Sequence, residues 1–538
     1  MKEVLTTCQS LIDLALSNIK LICSDNGVFD TTKLDDHQPA LYDLSFCYAE
    51  VQTADNFLSY SAEQGDREKA LANLFAADVI VNVIARLKRS SHDLGLAAAN
   101  FEFESHAFAV TAPFLSAGYS NELGELIAND AQPLGERGLG EEKQLMADTF
   151  RQFTDNVVVP LSESIHREDL IIPEEILNGL KQLGCFGLSV PERFGGLLPD
   201  DHEDSLGMIV VTEELSRGSL GGAGSLITRP EIMARALIEG GTPEQQNYWL
   251  PKLAQGEPLC GIALTEPDYG SDVASMKLKA TQVEGGWRLN GAKTWSTFAG
   301  KAGVLLTLAR TNNDPTIGHK GLSLFMVEKP STDEHEFSYE QDRGGKLSGV
   351  AIPTIGYRGM HSYQLFFDDF FVADSHVIGE EKGLGKGFYF TMRGLMGGRI
   401  QTAARACGLM QAAFEKAISY ANDRKVFNQA ISRYGLTRTK LALMAAKLAA
   451  CRQYTYKVGR LMDQGQGQME ASLVKLLACK ASEWITREAM QIHGGMGYAE
   501  ETAVSRYWLD ARVLSIFEGT EETLALKVVG RSLVEKAS

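Results

Sequence analysis

Residues 260–272 read CGIALTEPDYGSD, and the grammar of the chain changes there. Upstream, apolar residues recur at three- and four-residue steps, as a helix with one buried face requires. Val4, Leu5, Cys8, Leu11, Ile12, Ala15, Leu16, Ile19, Ile22 and Cys23 form one such series. Leu41, Leu44, Tyr48, Val51, Ala54 and Leu58 form a second, and Ala70–Leu87 a third. The Gly-rich stretch Pro133–Gly140 (PLGERGLG) reads as a linker, and helical segments resume from about Glu141 through Ile176–Leu183, Met208–Leu215 and Tyr248–Leu253. Downstream of Leu259, the short apolar runs Gly303–Ala309, Leu322–Val327 and Gln364–Phe367 lie between turn residues such as Asn290-Gly291. That is a strand signature. The strands close near Val377, and after Gly383 the pattern is helical over Gly408–Asn422, Thr437–Gln464 and Ala471–Ile492. The expected fold is mainly α with a central β domain, divided at 1–136, 137–258, 259–380 and 381–538.

The 538 residues carry 52 Lys plus Arg against 69 Asp plus Glu, a net charge of −17. At about 150 residues per domain this length allows three or four domains. The acidic balance counts against a nucleic-acid partner, which needs a Lys/Arg surplus. Eight cysteines are scattered without a CxxC pair or metal-ligand spacing, so reduced thiols, a cytoplasmic location and no metal are expected. The start, MKEVLTTCQSLIDLALSNIKLIC, is too broken by Glu3 and Asp13 for a secretory core. No uncharged apolar stretch of about 18 residues is present, so no membrane span is expected.

Four polar, glycine-rich clusters remain: LTEPDYGSD (264–272), NGAKTWST (290–297), QIHGGMGY (491–498) and IFEGT (516–520). Singly, each has a plain explanation. The first is a turn broken by Pro267 and Gly270, the second a hairpin turn followed by a packing Trp, the third a helix end, the fourth an isolated carboxylate. None is a GxGxxG loop, so a nicotinamide-binding Rossmann domain has no support.

Together, and in this order, they resemble the acyl-CoA dehydrogenase family, from about Glu141 to Arg531. The stretches that carry the likeness are CGIALTEPDYGSD (260–272), LNGAKTWST (289–297), FFDDFFV (366–372), DRKVF (423–427), QIHGGMGY and IFEGT. The resemblance implies an N-terminal helical domain, a middle β-barrel or sandwich and a C-terminal four-helix bundle, with an extra helical domain ahead of them. It implies an FAD enzyme that removes two hydrogens from neighbouring carbons of an acyl thioester. The α-proton is weakly acidic, so a base must be held beside it in an apolar setting, where desolvation strengthens a carboxylate as a base. Glu518 matches the family's base; its backbone amide would polarise the thioester carbonyl, and Gly519 would allow close approach. Leu264, Thr265, Trp295 and Thr297 match residues that edge and stack on the flavin. Arg424 and Phe427 match a stretch that reaches FAD from a neighbouring subunit. Gln491, Gly494 and Gly495 match the diphosphate contact, and Thr520 and Glu522 the contacts just after the base. Ser271 and Arg399 match positions that touch CoA.

Asn428, Gly435 and Leu509 depart from the family's commoner Gly, Gln and Arg. One branch places its base just before the position of Arg399; here that residue is Gly398, which leaves Glu518. The extension 1–136, read as a packing or oligomer-surface domain, and the sequence TRPEI (228–232) look most like the branch that takes methylsuccinyl-CoA. A second substrate carboxylate cannot be buried without a cation or several donors. Arg229 is the first candidate and Thr228 a lesser donor; the plainer alternative is a surface Arg229 paired with Glu231. Electron-transferring flavoprotein is the expected electron acceptor, and a homodimer or homotetramer the expected assembly. Competing readings are a medium- or long-chain fatty acyl-CoA dehydrogenase, a flavin oxidase or monooxygenase, and a non-catalytic binding member of the fold.

Overall fold

The computed structural model describes every residue except Ala131, Pro133 and Arg343; of Pro315 it describes the backbone only. In chain order, helices α1 (Lys2–Ile22), α2 (Gln38–Ser61), α3 (Asp66–Arg89), α4 (Glu104–Leu115) and α5 (Ala117–Asn129) come first, with a small hairpin, β1 (Ser24–Asp25) and β2 (Val28–Phe29), after α1. Then follow α6 (Glu141–Phe153), α7 (Val159–Arg167), α8 (Glu174–Gln182), α9 (Ser205–Gly218), α10 (Thr228–Gly240) and α11 (Pro243–Gln255). The strands are β3 (Cys260–Ala263), β4 (Lys279–Val283), β5 (Gly286–Thr297), β6 (Val304–Arg310), β7 (Leu322–Glu328), β8 (Glu336–Glu340), β9 (Lys346–Ala351) and β10 (Ser362–Ala373). After a short α12 (Glu380–Gly383) come α13 (Gly387–Asp423), the hairpin β11 (Lys425–Val426) and β12 (Gln429–Ala430), α14 (Gly435–Asp463), α15 (Gln468–His493), α16 (Ala503–Leu514), α17 (Glu521–Thr523) and α18 (Arg531–Lys536). The mainly α chain with a central sheet is as expected. It divides into two compact units: Met1–Gln144 with Thr402–Ser538, and Leu145–Gln401.

In the first unit both ends of the chain pack together. The apolar series of α1 is buried from Val4 to Ile19, while Ile22 is exposed. Helix α5 lies so close to α14 that a Cβ on Gly124 would come within 2.3 Å of the Arg438 carbonyl oxygen. Only glycine permits that approach. Gly435 sits beside Asn121 of α5, so that departure from the family pattern falls where the N-terminal helices are seated. Helix α3 is long and apolar enough to cross a membrane by length and composition, but most of that stretch is buried within the protein. Pro133 of the expected linker lies outside the described residues. The rest of it is tied down: Tyr60 Oη donates to the Glu136 carbonyl at 2.8 Å and Gln453 Nε2 to that of Arg137 at 2.9 Å. All eight cysteines are buried thiols.

In the second unit, β6 pairs parallel with β3 on one side and antiparallel with β7 on the other, and β4, β5, β10, β9 and β8 continue the sheet. Alternation along β6 serves two cores. Val304, Leu306 and Leu308 point towards α10 and α11, whereas Leu305 and Ala309 join the strand-lined core with Trp287 and Phe325. Burial of both faces explains the nearly continuous apolar run. Asn290-Gly291 is not the expected hairpin turn. It lies inside β5, opposite a bulge in β10 where the pairing moves from Phe367↔Gly291 to Phe370↔Leu289. Asn290 replaces the missing ladder bonds, its side chain accepting from Asp369 N at 2.9 Å and donating to Asp369 Oδ1 at 2.8 Å. A turn-forming dipeptide can equally satisfy a bulge.

Candidate active site

In the first unit, Glu518 lies on the loop between α16 and α17, at φ +55°, followed by Gly519 at φ +93°. Two successive left-handed residues need outside support. One face of α15 supplies it, at steps of four residues. Lys475 Nζ donates to the carbonyls of Phe517 at 2.9 Å and Gly519 at 2.5 Å, on either side of Glu518. Cys479 Sγ donates to the Leu514 carbonyl at 3.3 Å, and Glu483 Oε1 accepts from Ser515 Oγ at 2.6 Å. Arg405, fully buried, stands over the Phe517 ring at 5.4 Å. With these carbonyls turned into the protein, the loop presents a half-buried Glu518. Thr520 caps the following helix by accepting from Thr523 N at 3.4 Å. The N-terminal helices brace that helix and the π-helical turn Leu524–Gly530 after it: Tyr42 donates to Glu521, and Ser45 Oγ to the Ala525 carbonyl at 2.7 Å. Glu522 is exposed.

Gln491, Gly494 and Gly495 gather at the end of α15. Gly494 adopts φ +59°, and a Cβ at either glycine would meet nothing within 4 Å. This bare, open backbone is where a phosphate can be received by amides. Arg424 and Phe427 lie on the β11–β12 hairpin. Phe427 and Asn428 occupy its two-residue turn at φ +49° and +65°, and Phe427 is 90% exposed. Asn tolerates this conformation, so Asn428 preserves a turn for which glycine would serve. The hairpin thus holds the Phe427 ring out at the tip of a tight turn.

In the second unit, a bulge aims Trp295. Pairing with β10 slips between Ser296↔Tyr363 and Lys293↔Leu365, leaving Thr294 and Trp295 opposite Gln364 alone. Trp295 takes φ +54° and is 55% exposed, an open aromatic platform of the kind a flavin ring covers. Thr297 Oγ1 is 2.9 Å from Ser362 Oγ. The LTEPDYGSD segment is a loop, as read, and it is clamped to β5. Thr294 N donates to the Thr265 carbonyl at 2.8 Å, and Lys293 Nζ to the Leu264 carbonyl at 2.8 Å and Glu266 Oε1 at 2.9 Å. Glu266 also accepts from Lys277 N and Leu278 N, both at 2.7 Å. Leu264 and Thr265 are thus fixed beside Trp295 by a buried pair that sequence reasoning missed. Its only signal was one acid and one base inside two motifs already singled out.

Burial pushes the Lys293 ammonium down to about 8, against the opposing pull of Glu266. A lysine whose folded pKa lies below its unfolded value makes the unfolded state the better proton binder. Its contribution to stability therefore rises as pH climbs from about 8 towards the ordinary lysine value. Urea unfolding at pH 7.5 and 9.5 is expected to show this rise in the wild type and lose it in Lys293→Met; an unchanged slope in the variant would contradict the assignment.

Arg229 is not a surface residue. It is 6% exposed, its Nη1 donates to the Ser225 carbonyl at 2.8 Å, and its Nη2 lies 3.5 Å from Tyr357 Oη. Among the described residues no carboxylate pairs with it. Glu231 instead holds Arg235 Nε at 2.9 Å and Gln401 Nε2. Thr228 is corrected as a donor: its hydroxyl proton goes to Gln401 Oε1 at 2.6 Å. Ser271 is exposed, and Arg399 is half-buried on α13 directly after the buried Gly398.

The models described as acyl-CoA dehydrogenase N-terminal, middle and C-terminal domains match residues 140–257, 261–370 and 385–534. The chain is 41% identical to (2S)-methylsuccinyl-CoA dehydrogenase of Cereibacter sphaeroides over 403 residues, 74% of this chain and 71% of that protein. It is similar to the solved butyryl-CoA dehydrogenase of Megasphaera elsdenii, with a TM-score of 0.67 and 29% identity over 74% of this chain and 99% of the other. A glutaryl-CoA dehydrogenase solved with glutaryl-CoA gives 0.67 and 28% over 74% and 97%.

Proposed function

This chain belongs to the acyl-CoA dehydrogenase family, and we propose that it oxidises (2S)-methylsuccinyl-CoA to mesaconyl-CoA. The family makes it a flavin-dependent oxidoreductase acting on acyl-CoA. The finer reading is carried by Arg229, a buried guanidinium without a carboxylate partner among the described residues. Leaving a charge in that condition is costly unless a ligand completes it. The free carboxylate of a dicarboxylic acyl chain is the matching ligand. The likeness to a methylsuccinyl-CoA enzyme and to a structure holding glutaryl-CoA, another dicarboxylic thioester, supports the same choice.

In the reaction, the Glu518 carboxylate takes the α-proton while its backbone N–H steadies the negative charge developing on the thioester oxygen. FAD, when bound, supplies the acceptor for the β-hydrogen, which leaves with its electron pair as the α,β double bond forms. Trp295, Thr297, Leu264 and Thr265 orient the ring, while Gln491, Gly494 and Gly495 receive the diphosphate. Arg399 and Ser271 hold CoA. The Arg424–Phe427 hairpin serves the site of a second copy, which requires at least a dimer, and electron-transferring flavoprotein accepts the electrons.

Anaerobic titration with methylsuccinyl-, butyryl- and octanoyl-CoA tests this reading. Methylsuccinyl-CoA is expected to bleach the flavin fastest; equal or faster bleaching by octanoyl-CoA would make the protein a fatty acyl enzyme. Lys475→Met is expected to cut kcat at least about tenfold with KM little changed, since a carbonyl left unbonded costs about 1–3 kcal/mol and frees the base loop. Lys475→Arg should recover part of the rate; a variant with normal kcat would show that the loop holds itself.

A further inference from the structure

Three residues outside the motifs meet in the second unit. Asp169 follows α7, His335 precedes β8 and His361 precedes β10, and one ligating atom from each lies within 4.8 Å of the others. His361 is 5% exposed. Its Nδ1 lies 3.3 Å from the Gly359 carbonyl and its Nε2 lies 3.2 Å from Asp169 Oδ1. Both neighbours are acceptors, and a neutral imidazole has one proton for the two. Burial holds the His361 pKa below its ordinary value against the pull of Asp169, and the His335 ring lies tilted to it with centroids 4.5 Å apart. If the proton lies on Nδ1, as it does in metal-bound histidines that donate to a carbonyl, the Nε2 lone pair faces a carboxylate with nothing between them.

We propose that Asp169, His335 and His361 form a binding site for a zinc-class divalent transition-metal ion. Two imidazoles and a carboxylate are the ligands such ions choose. A tetrahedral ion with bonds of about 2.0–2.1 Å sets its ligand atoms about 3.3 Å apart, and His361 Nε2 and Asp169 Oδ1 are already that close. His335, which is exposed, already offers a ring nitrogen within 4.8 Å of both other ligand atoms. Arg358 Nε shares Asp169 Oδ1 at 3.2 Å. Asp169 and His361 also hold left-handed backbone, φ +55° and +30°, strain that a metal site can store. Phe298 N donates to the carbonyls of His361 at 2.8 Å and Met360 at 2.9 Å. The ion would therefore fix the turn just beyond Trp295–Thr297. Sequence spacing hides the trio because its members come from three separate loops.

The test is calorimetric titration of chelator-treated, flavin-loaded protein with Zn²⁺, repeated on His335→Ala and Asp169→Asn. One equivalent should bind, and each variant should bind at least about tenfold more weakly. Zn²⁺ should also raise the melting temperature of the wild type more than that of either variant, and Co²⁺ should give the visible bands of a tetrahedral site. His335 is exposed, so its loss leaves the fold intact, as circular dichroism will confirm. No binding to the wild type, or equal binding to both variants, would overturn the site. Activity on acyl-CoA does not enter the readout, so failure here and failure of the proposed reaction are distinct.

Discussion

Glu518→Gln is expected to slow anaerobic flavin reduction by methylsuccinyl-CoA about 10³-fold, within the range general-base catalysis supplies. Glutamine keeps the length and shape of the side chain, and the backbone amide at 518 is unchanged, so thioester binding should survive. An amide cannot accept the α-proton at neutral pH. The measurement is rapid-mixing absorbance of the oxidised flavin band, with the Kd for a non-reducible thioester as control. Reduction at the wild-type rate would sink the base assignment. Reduction lost together with binding would show instead that the loop between Phe517 and Gly519 had moved. The position used by the other branch of the family is Gly398 here, so no second carboxylate stands there to rescue the rate.

Arg229→Met is expected to separate substrates rather than to inactivate. Methionine fills much of the same volume and removes the charge. A methylsuccinyl chain would then bury its free carboxylate without a cation, a loss of about 3–5 kcal/mol. At about 1.4 kcal/mol per decade this lowers kcat/KM by roughly two to three and a half decades. Butyryl-CoA, which has no second carboxylate, should keep its rate or gain from the apolar wall. Equal loss on both thioesters would mean that Arg229 only holds Ser225 and Tyr357 in place.

The helices and the motif loops were legible because their causes are local. The periodic series of α1 is its buried face, and LTEPDYGSD is the loop that Pro267 and Gly270 require. The sequence also pointed to Trp295 and Glu518, but not to the bulge that turns one or the left-handed backbone that presents the other. Both depend on partners far along the chain: Gln364 of β10, and Lys475 of α15. The buried state of Arg229, the loss of the Thr228 proton to Gln401, and the meeting of Asp169 with His361 across 192 positions are likewise products of assembly. Asn290-Gly291 misled for the opposite reason. A dipeptide that favours tight turns was read without the strand opposite, and that strand held the bulge.

The division of the chain has a consequence during synthesis. The second unit is continuous from Leu145 to Gln401 and can complete itself as it leaves the ribosome. The first unit cannot. Its N-terminal helices are made first and meet their partners last, because α1 is closed by Lys20 donating to the Ala537 carbonyl at 2.5 Å and α2 by Ser45 bonding to Ala525. For some 400 residues of elongation the apolar faces of α1, α2 and α3 must be sheltered by one another or by a chaperone. A nascent chain stopped before α18 would hold a finished middle and an open pair of ends, and the base loop would be among the last parts to lock.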